Sequence, residues 1–151
     1  MRTMREAGQR DVVFTPFMLR TRDVLDGEDR STPLRLRPSC LHPVARATDE
    51  WFYLRARSEQ VIAEANAMLR GRAAPVDLLD EYGTGELGFV LRRGDRSARI
   101  RLGQAGRQAW VELQRPYVAD ARPVEPEDPA VLEDLVVELL ADTRAHQEGR
   151  P

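Results

Sequence analysis

The segment Gly83–Gly88 carries the glycine spacing G-x-G-x-x-G, with which many proteins hold the pyrophosphate of a dinucleotide. That chemistry requires a strand before the glycines and a helix directly after them, because the N-terminus of the helix receives the phosphate groups. The residues that follow here, Phe89–Arg92, are instead typical of a strand. We therefore interpret the glycines as a hairpin turn, and the sequence predicts no cofactor site.

Cys40, His42 and His146 are the residues that could bind a metal ion or supply a nucleophile. Cys40 is the single cysteine of the chain, so the sequence offers neither a disulfide nor a second thiolate at the spacing of a zinc site. A Cys–His nucleophile also needs a third group that orients the histidine, and the spacing indicates none. We predict no metal site and no nucleophilic site.

Asp77, Asp80 and Glu81 come closest to a pair of catalytic carboxylates. Asp77 and Glu81 share one face of a predicted strand, on which they lie roughly 13 Å apart. The paired carboxylates of glycosidases are closer, about 5–9.5 Å apart. These acids are therefore interpreted as a solvated strand face, and Arg93–Asp95, an adhesion tripeptide, as a hairpin turn. We expect no catalytic residues and no enzymatic activity.

Arg92, Arg99, Arg101 and Trp110 form the first candidate binding face. Arg99 and Arg101 alternate with apolar residues along one strand, so they lie on the opposite side from its apolar face. Arginine beside an aromatic ring is the composition of protein interfaces and of stacking platforms for single-stranded nucleic acid. Two other interpretations stay open: acids across the sheet neutralise the arginines, or the N-terminal segment covers Trp110.

The composition bears on the partner and the compartment. The 151 residues include 23 basic residues, all of them arginine, and the formal net charge is -2. The lack of lysine, with one asparagine and two isoleucines, indicates GC-rich coding DNA, so we expect a bacterial, cytoplasmic protein.

The charge is unevenly distributed along the chain. Seven arginines and three acids occupy residues 85–115, whereas three arginines and nine acids occupy residues 116–151. No apolar run approaches the roughly 18 residues of a membrane span, so no membrane partner is expected.

Two helices and a run of strands must position these residues. Thr48 is the predicted N-cap of an amphipathic helix that ends at Gly71. Asp128–Pro129 opens the second predicted helix, with aspartate as the N-cap and proline at the first helical position. Between the helices, the alternating pattern of residues 76–114 and its short turns predict an antiparallel meander. Val12–Leu19 is apolar enough for a strand, which Pro16 limits to an edge or a bulge. Whether residues 12–37 join the sheet or cover its edge stays open.

These elements predict the fold class α+β. We expect a two-layer sandwich in which an antiparallel β-meander of about four to six strands packs on two long helices, in the order β-α-β-β-β-β-α. The single domain covers residues 12–145, after a flexible N-terminus at residues 1–11 and before a frayed tail at residues 146–151.

The predicted C-terminal helix offers a second candidate surface. Its apolar residues Leu132, Leu135, Val136 and Leu139 cover more than a narrow stripe, so part of the helix could face a partner; burial by the domain itself explains the pattern equally well. We expect a non-enzymatic protein that binds a protein partner or a second copy of itself. Two alternatives stay open: nucleic-acid or polyanion binding on the Arg/Trp face, and a small-ligand carrier or enzyme with a pocket between sheet and helices. The negative net charge argues against a general nucleic-acid binder.

Overall fold

A computed structural model of the chain describes residues 13–28, 32–83, 85–116, 118 and 122–141. These residues form three helices and seven strands. In chain order they are α1 (Pro16–Leu25), β1 (Leu36–Pro38), β2 (His42–Pro43), α2 (Val44–Leu69), β3 (Asp77–Tyr82), β4 (Leu87–Arg93), β5 (Arg96–Ala105), β6 (Gln108–Gln114), β7 (Val124–Pro126) and α3 (Val131–Leu140). The α+β class is confirmed. The predicted flexible N-terminus, at residues 1–11, and the frayed tail, at residues 146–151, lie outside the described residues.

The alternating residues build a five-stranded antiparallel sheet with the strand order β2-β6-β5-β4-β3. The predicted meander is therefore confirmed in β3 to β6, and β2 adds two residues beside β6. The register places Ile100 opposite Phe89 on one side and Leu113 on the other, so apolar side chains line up across three strands. All three are buried and form the sheet's contribution to the core.

The first segment of the domain is a helix, so the strand expected over Val12–Leu19 is wrong. Thr15 is the N-cap of α1, and its Oγ1 accepts a hydrogen bond from the backbone N–H of Met18 at 3.1 Å. Pro16 then fills the first helical position, where its missing N–H costs nothing. The apolar run that suggested a strand lies in a helix, which buries one face. Phe17 and Val24 on that face belong to the core.

The helix α2 begins before the predicted start and ends where the sequence predicts. It starts at Val44, directly after Pro43, so Thr48 lies inside the helix and its Oγ1 donates to the carbonyl of Val44 at 2.7 Å. The predicted N-cap at Thr48 is therefore wrong, because the chain enters the helix through the extended Pro43. At the other end Gly71 has a φ of +79°, a left-handed conformation that glycine adopts without strain.

The remaining boundaries shift by a few residues. The helix α3 begins at Val131, and Asp128 precedes it in a turn, where its Oδ1 accepts from the N–H of Ala130 at 2.8 Å. Because α3 has 10 residues, one long helix and two short ones make up the described helix layer, where two long helices were expected. β5 continues through Gly103 and ends at Ala105.

The helices share one core with the sheet. α2 and α3 contact the sheet, and α1 contacts both of them. Trp51 of α2 is buried, and its indole N–H donates to the carbonyl of Ile100 at 3.1 Å, so the long helix is tied to the middle of the sheet. Outside this sandwich, β1 and β7 form a separate two-stranded antiparallel sheet. Among the described residues, no helix is both long and apolar enough to cross a membrane.

Candidate functional site

The four residues of the predicted Arg/Trp face lie together on the side of the sheet that faces away from the helices. Arg99 and Arg101 alternate with the buried core residues of β5, and Trp110 stands opposite Gly103 on β6. Arg92 stands opposite Ser97, is exposed, and forms no ion pair with another described residue. We call this side of β3 to β6 the outer sheet face.

Acidic partners neutralise two of these arginines. Arg99 Nε donates to Glu81 Oε1 on β3 at 2.5 Å. Arg101 lies between Glu112 and Glu86, with nitrogen–oxygen distances of 3.7 Å and 3.9 Å. These contacts are the cross-sheet pairing that the sequence left open as an alternative. The guanidinium groups of Arg99 and Arg101 therefore already have carboxylate partners, whereas Arg92 has none among the described residues.

Trp110 is half-buried and lies against its own sheet. Its ring occupies the space beside Gly103, where a Cβ atom would clash with the indole carbons. The indole N–H donates to Glu112 Oε1 at 2.8 Å, and Gln114 Nε2 donates to the other oxygen of the same carboxylate at 2.6 Å. Trp110 is therefore held by neighbours on the sheet and is not a bare aromatic anchor.

The apolar face of α3 lies inside the domain. Leu132 and Val136 are 0% exposed, Leu135 is 1% exposed and Leu139 is 3% exposed. Their side chains pack in the common core with the sheet and the other helices. This is the arrangement of a helix that its own domain buries, so these four side chains form no surface of the folded chain.

Among the described residues, the other chemical motifs do not assemble into a site. Gly85 has a φ of +81°, and Gly88 lies within β4, so a strand follows the glycines as expected from the sequence. Cys40 is exposed, His42 begins β2, and His146 lies outside the described residues. The described residues contain no group of three or more His, Cys, Asp and Glu side chains placed to hold a metal ion.

A second surface lies between α2 and the edge of the sheet, at the end where β3 turns into β4. It is an open cleft of about 210 Å³. We call it the α2–β3 cleft; it is lined by Trp51, Phe52, Arg55, Asp80, Glu81, Leu87 and Gly88. Phe52 is 53% exposed, although the indole of Trp51 beside it is buried in the core. The cleft thus joins an exposed aromatic ring to the apolar interior.

A fixed ion pair forms the charged wall of this cleft. Arg55 donates from Nε and from one terminal nitrogen to the two oxygens of Asp80, both at 2.7 Å. The same guanidinium contacts Glu59 at 2.9 Å and lies 6.0 Å from the ring centre of Phe89. The hydrogen bonds that Arg55 donates hold the pKa of Asp80 below its ordinary value, and the same bonds raise the pKa of Arg55. Both groups therefore stay charged, and the two-pronged contact fixes their orientation.

Sequence reasoning missed the α2–β3 cleft, but one signal pointed to it. The apolar stripe of α2 predicts burial for Trp51 and Leu54, and both are buried. Phe52 and Tyr53 fall outside that stripe, and they are 53% and 57% exposed. Large aromatic residues off the buried face of a helix are an indicator of an interaction surface. Asp80 was interpreted as solvated because its partner Arg55 lies 25 residues away in the sequence.

A further shallow hollow of about 230 Å³ lies beside the end of β6, where residues 112–115 meet Val118 and residues 122–124. Like the α2–β3 cleft, it is smaller than the pockets of roughly 300–1,000 Å³ that enclose most drug-sized ligands.

Comparison with known proteins found no family model, no curated protein and no solved structure that matches this chain.

Proposed function

We propose that this protein acts without catalysis, by binding another protein, and that the α2–β3 cleft is its binding surface. The observation that supports this proposal is the half-exposed ring of Phe52 beside the fixed ion pair of Arg55 and Asp80. Aromatic residues and arginine dominate the energetically important centres of protein interfaces. The donors of Arg55 are already occupied by Asp80 and Glu59, so the exposed ring of Phe52 is the group in the cleft that a partner can bury without breaking a contact.

The outer sheet face supports this role less well. Arg99 and Arg101 already bind acids, and the indole N–H of Trp110 already has a carboxylate acceptor. A partner would have to break those contacts before it could use the same groups. In the α2–β3 cleft a partner can cover the ring of Phe52 without breaking a polar contact. Burying the ring removes apolar surface from water, which favours binding.

We further propose a bacterial, cytoplasmic setting, for which the argument is the composition alone. The chain has 23 arginines, no lysine and one cysteine. A single cysteine fits a reducing compartment.

The test is a selection of peptides from a phage-displayed random library on the immobilised full chain, followed by affinity measurements on two variants. We expect the selected peptides to bind Phe52→Ala at least about tenfold more weakly, because truncating a central aromatic costs 2 kcal/mol or more at interface hot spots. Tyr53→Ala is the matched control, since Tyr53 is equally exposed on the same helix but does not line the cleft. Equal losses in both variants, or none in either, would contradict the proposal.

A further inference from the structure

The long helix α2 has an exposed face opposite the side that it buries. The buried side includes Trp51, Leu54 and Ser58, which lie in the core of the domain. On the other side, exposed residues recur at alternating spacings of four and three. We call these residues the α2 seam: Asp49, Tyr53, Ala56, Gln60, Ala63, Ala67 and Arg70. None of them lines the α2–β3 cleft, so the seam is a separate surface.

The spacing of the α2 seam is that of a helix which packs lengthwise on another helix. An average of 3.5 residues between members keeps one line of side chains facing a neighbouring helix that runs alongside. From Asp49 to Arg70 the seam is about 32 Å long at the usual rise of an α-helix. Its three alanines allow a second helix to come close, because the distance between two helix axes depends on the side chains at the contact.

The charged ends of the α2 seam select a second copy of the chain that runs in the opposite direction. A two-fold axis near Gln60 would place Asp49 of each copy beside Arg70 of the other. Both side chains are exposed, and neither forms an ion pair with another described residue, so both charges are available to a partner. A parallel copy would instead bring aspartate beside aspartate and arginine beside arginine, and like charges repel.

The uncharged positions fit the same antiparallel arrangement. Tyr53, which is 57% exposed, would lie opposite Ala67 of the second copy, so a large side chain meets a small one. Ala56 would lie opposite Ala63, so no bulky group separates the two helices near the axis. In a parallel pair Tyr53 would meet its own counterpart and hold the helices apart.

The charged residues that flank the α2 seam already have partners inside the chain. These pairs are Glu59 with Arg55 at 2.9 Å, Arg57 with Glu133 at 2.8 Å, and Glu64 with the hydroxyl of Thr15 at 2.6 Å. The direction of a second copy is therefore decided by the two charges of the seam itself, Asp49 and Arg70.

We propose that this protein forms a homodimer in which the α2 helices of two copies pack antiparallel along their seams. The proposal goes beyond the proposed function, because it concerns a different surface of α2. A contact along one helix is at the small end of specific interfaces, so the dissociation constant should be on the order of 10 µM.

Sedimentation velocity of the full chain, from about 1 µM to 1 mM, measures the dimer. Asp49→Arg and Arg70→Asp each replace two attractive pairs with two repulsive contacts, so each should raise the dissociation constant about tenfold or more. The variant with both substitutions has the same charges with the ends exchanged, and it should return to within about threefold of the unchanged chain. Arg107→Asp is the matched control, since it makes the same change at an exposed position in the turn between β5 and β6 and should leave the dimer intact.

A chain that stays monomeric over the whole range would overturn this inference. A dimer that both single reversals leave intact would overturn it as well, because another face would then hold the copies together. Failure of the double variant to recover would show that Asp49 and Arg70 do not pair. If the selected peptides still lost affinity only in Phe52→Ala, the proposed binding surface would stand while this inference failed.

Discussion

The indole of Trp110 fills the space that a side chain at position 103 would occupy. Gly103 and Trp110 stand directly opposite each other on β5 and β6, and Gly103 has no Cβ to separate the ring from the sheet. An aromatic ring that covers a glycine in the neighbouring strand recovers the apolar contact that the glycine lacks. Position 103 requires glycine because the indole of Trp110 lies too close for a Cβ atom. The backbone angles of Gly103 do not require it, since its φ is not positive.

We predict that Gly103→Ala lowers the free energy of unfolding by about 2 kcal/mol, because the added methyl group displaces the indole from a filled site. The midpoint of thermal unfolding should fall by roughly 4–8 °C, followed by circular dichroism. Gly83→Ala is the control, since a Cβ there meets nothing within 4 Å and its φ is not positive. A Gly103→Ala variant as stable as Gly83→Ala would show that the ring is not seated on Gly103.

At the scale of elements, Thr15 and Thr48 have different roles. Thr15 directly precedes α1, whereas Thr48 lies in the first turns of α2. Thr15 caps α1, and its hydroxyl also donates to Glu64 Oε1 on α2 at 2.6 Å. Thr48 has the sequence context of a cap, with acids directly after it, but it lies inside α2 and bonds to the preceding turn. A threonine inside a helix gains little from that bond, whereas a cap satisfies an N–H that has no other partner.

We predict that Thr15→Val destabilises the protein by about 1–2 kcal/mol, because it removes both the N-cap of α1 and the hydrogen bond to Glu64. Valine keeps the shape of threonine and removes only the hydroxyl group. Thr48→Val should change stability by less than about 0.5 kcal/mol, since it removes a bond that competes with the helix backbone. Urea titrations of both variants measure the difference. If Thr48→Val were the costlier substitution, the assigned start of α2 at Val44 would be wrong.

The periodicity of apolar residues predicted the strands and the helix that bury one face against the core. The alternation along β4 to β6 and the apolar stripe of α2 follow from one buried face each, so the sequence displays them directly. The pairing of β1 with β7 escapes such reasoning, because each strand has three residues and Arg37 meets Glu125 across 88 positions of sequence. The α2–β3 cleft escapes it for the same reason, since it exists only where α2 crosses the edge of the sheet.

At the scale of the whole molecule, one continuous core joins the helix layer to the sheet. It contains Phe17 and Val24 of α1, the inner face of α2, residues of β4 to β6 and the apolar side of α3. Ion pairs reinforce the same assembly, since Arg20 of α1 reaches Asp134 of α3 at 2.7 Å and Arg57 of α2 reaches Glu133 at 2.8 Å. A core that spans every layer favours unfolding in one step, because no layer can leave without exposing the others.

We therefore predict a single cooperative unfolding transition. Replacing a buried side chain of α1 or of α3 with alanine should lower the midpoint of that whole transition. Phe17→Ala in α1 and Leu135→Ala in α3 remove side chains that are 4% and 1% exposed, so each should cost roughly 3–5 kcal/mol. Phe14→Ala and Leu41→Ala remove the same side chains from positions 46% and 59% exposed and should cost less than about 1 kcal/mol. Calorimetry decides the matter through the ratio of calorimetric to van't Hoff enthalpy. A ratio near one in all four variants is expected, whereas a second transition in Phe17→Ala alone would make α1 a separate unit that folds independently of the sandwich.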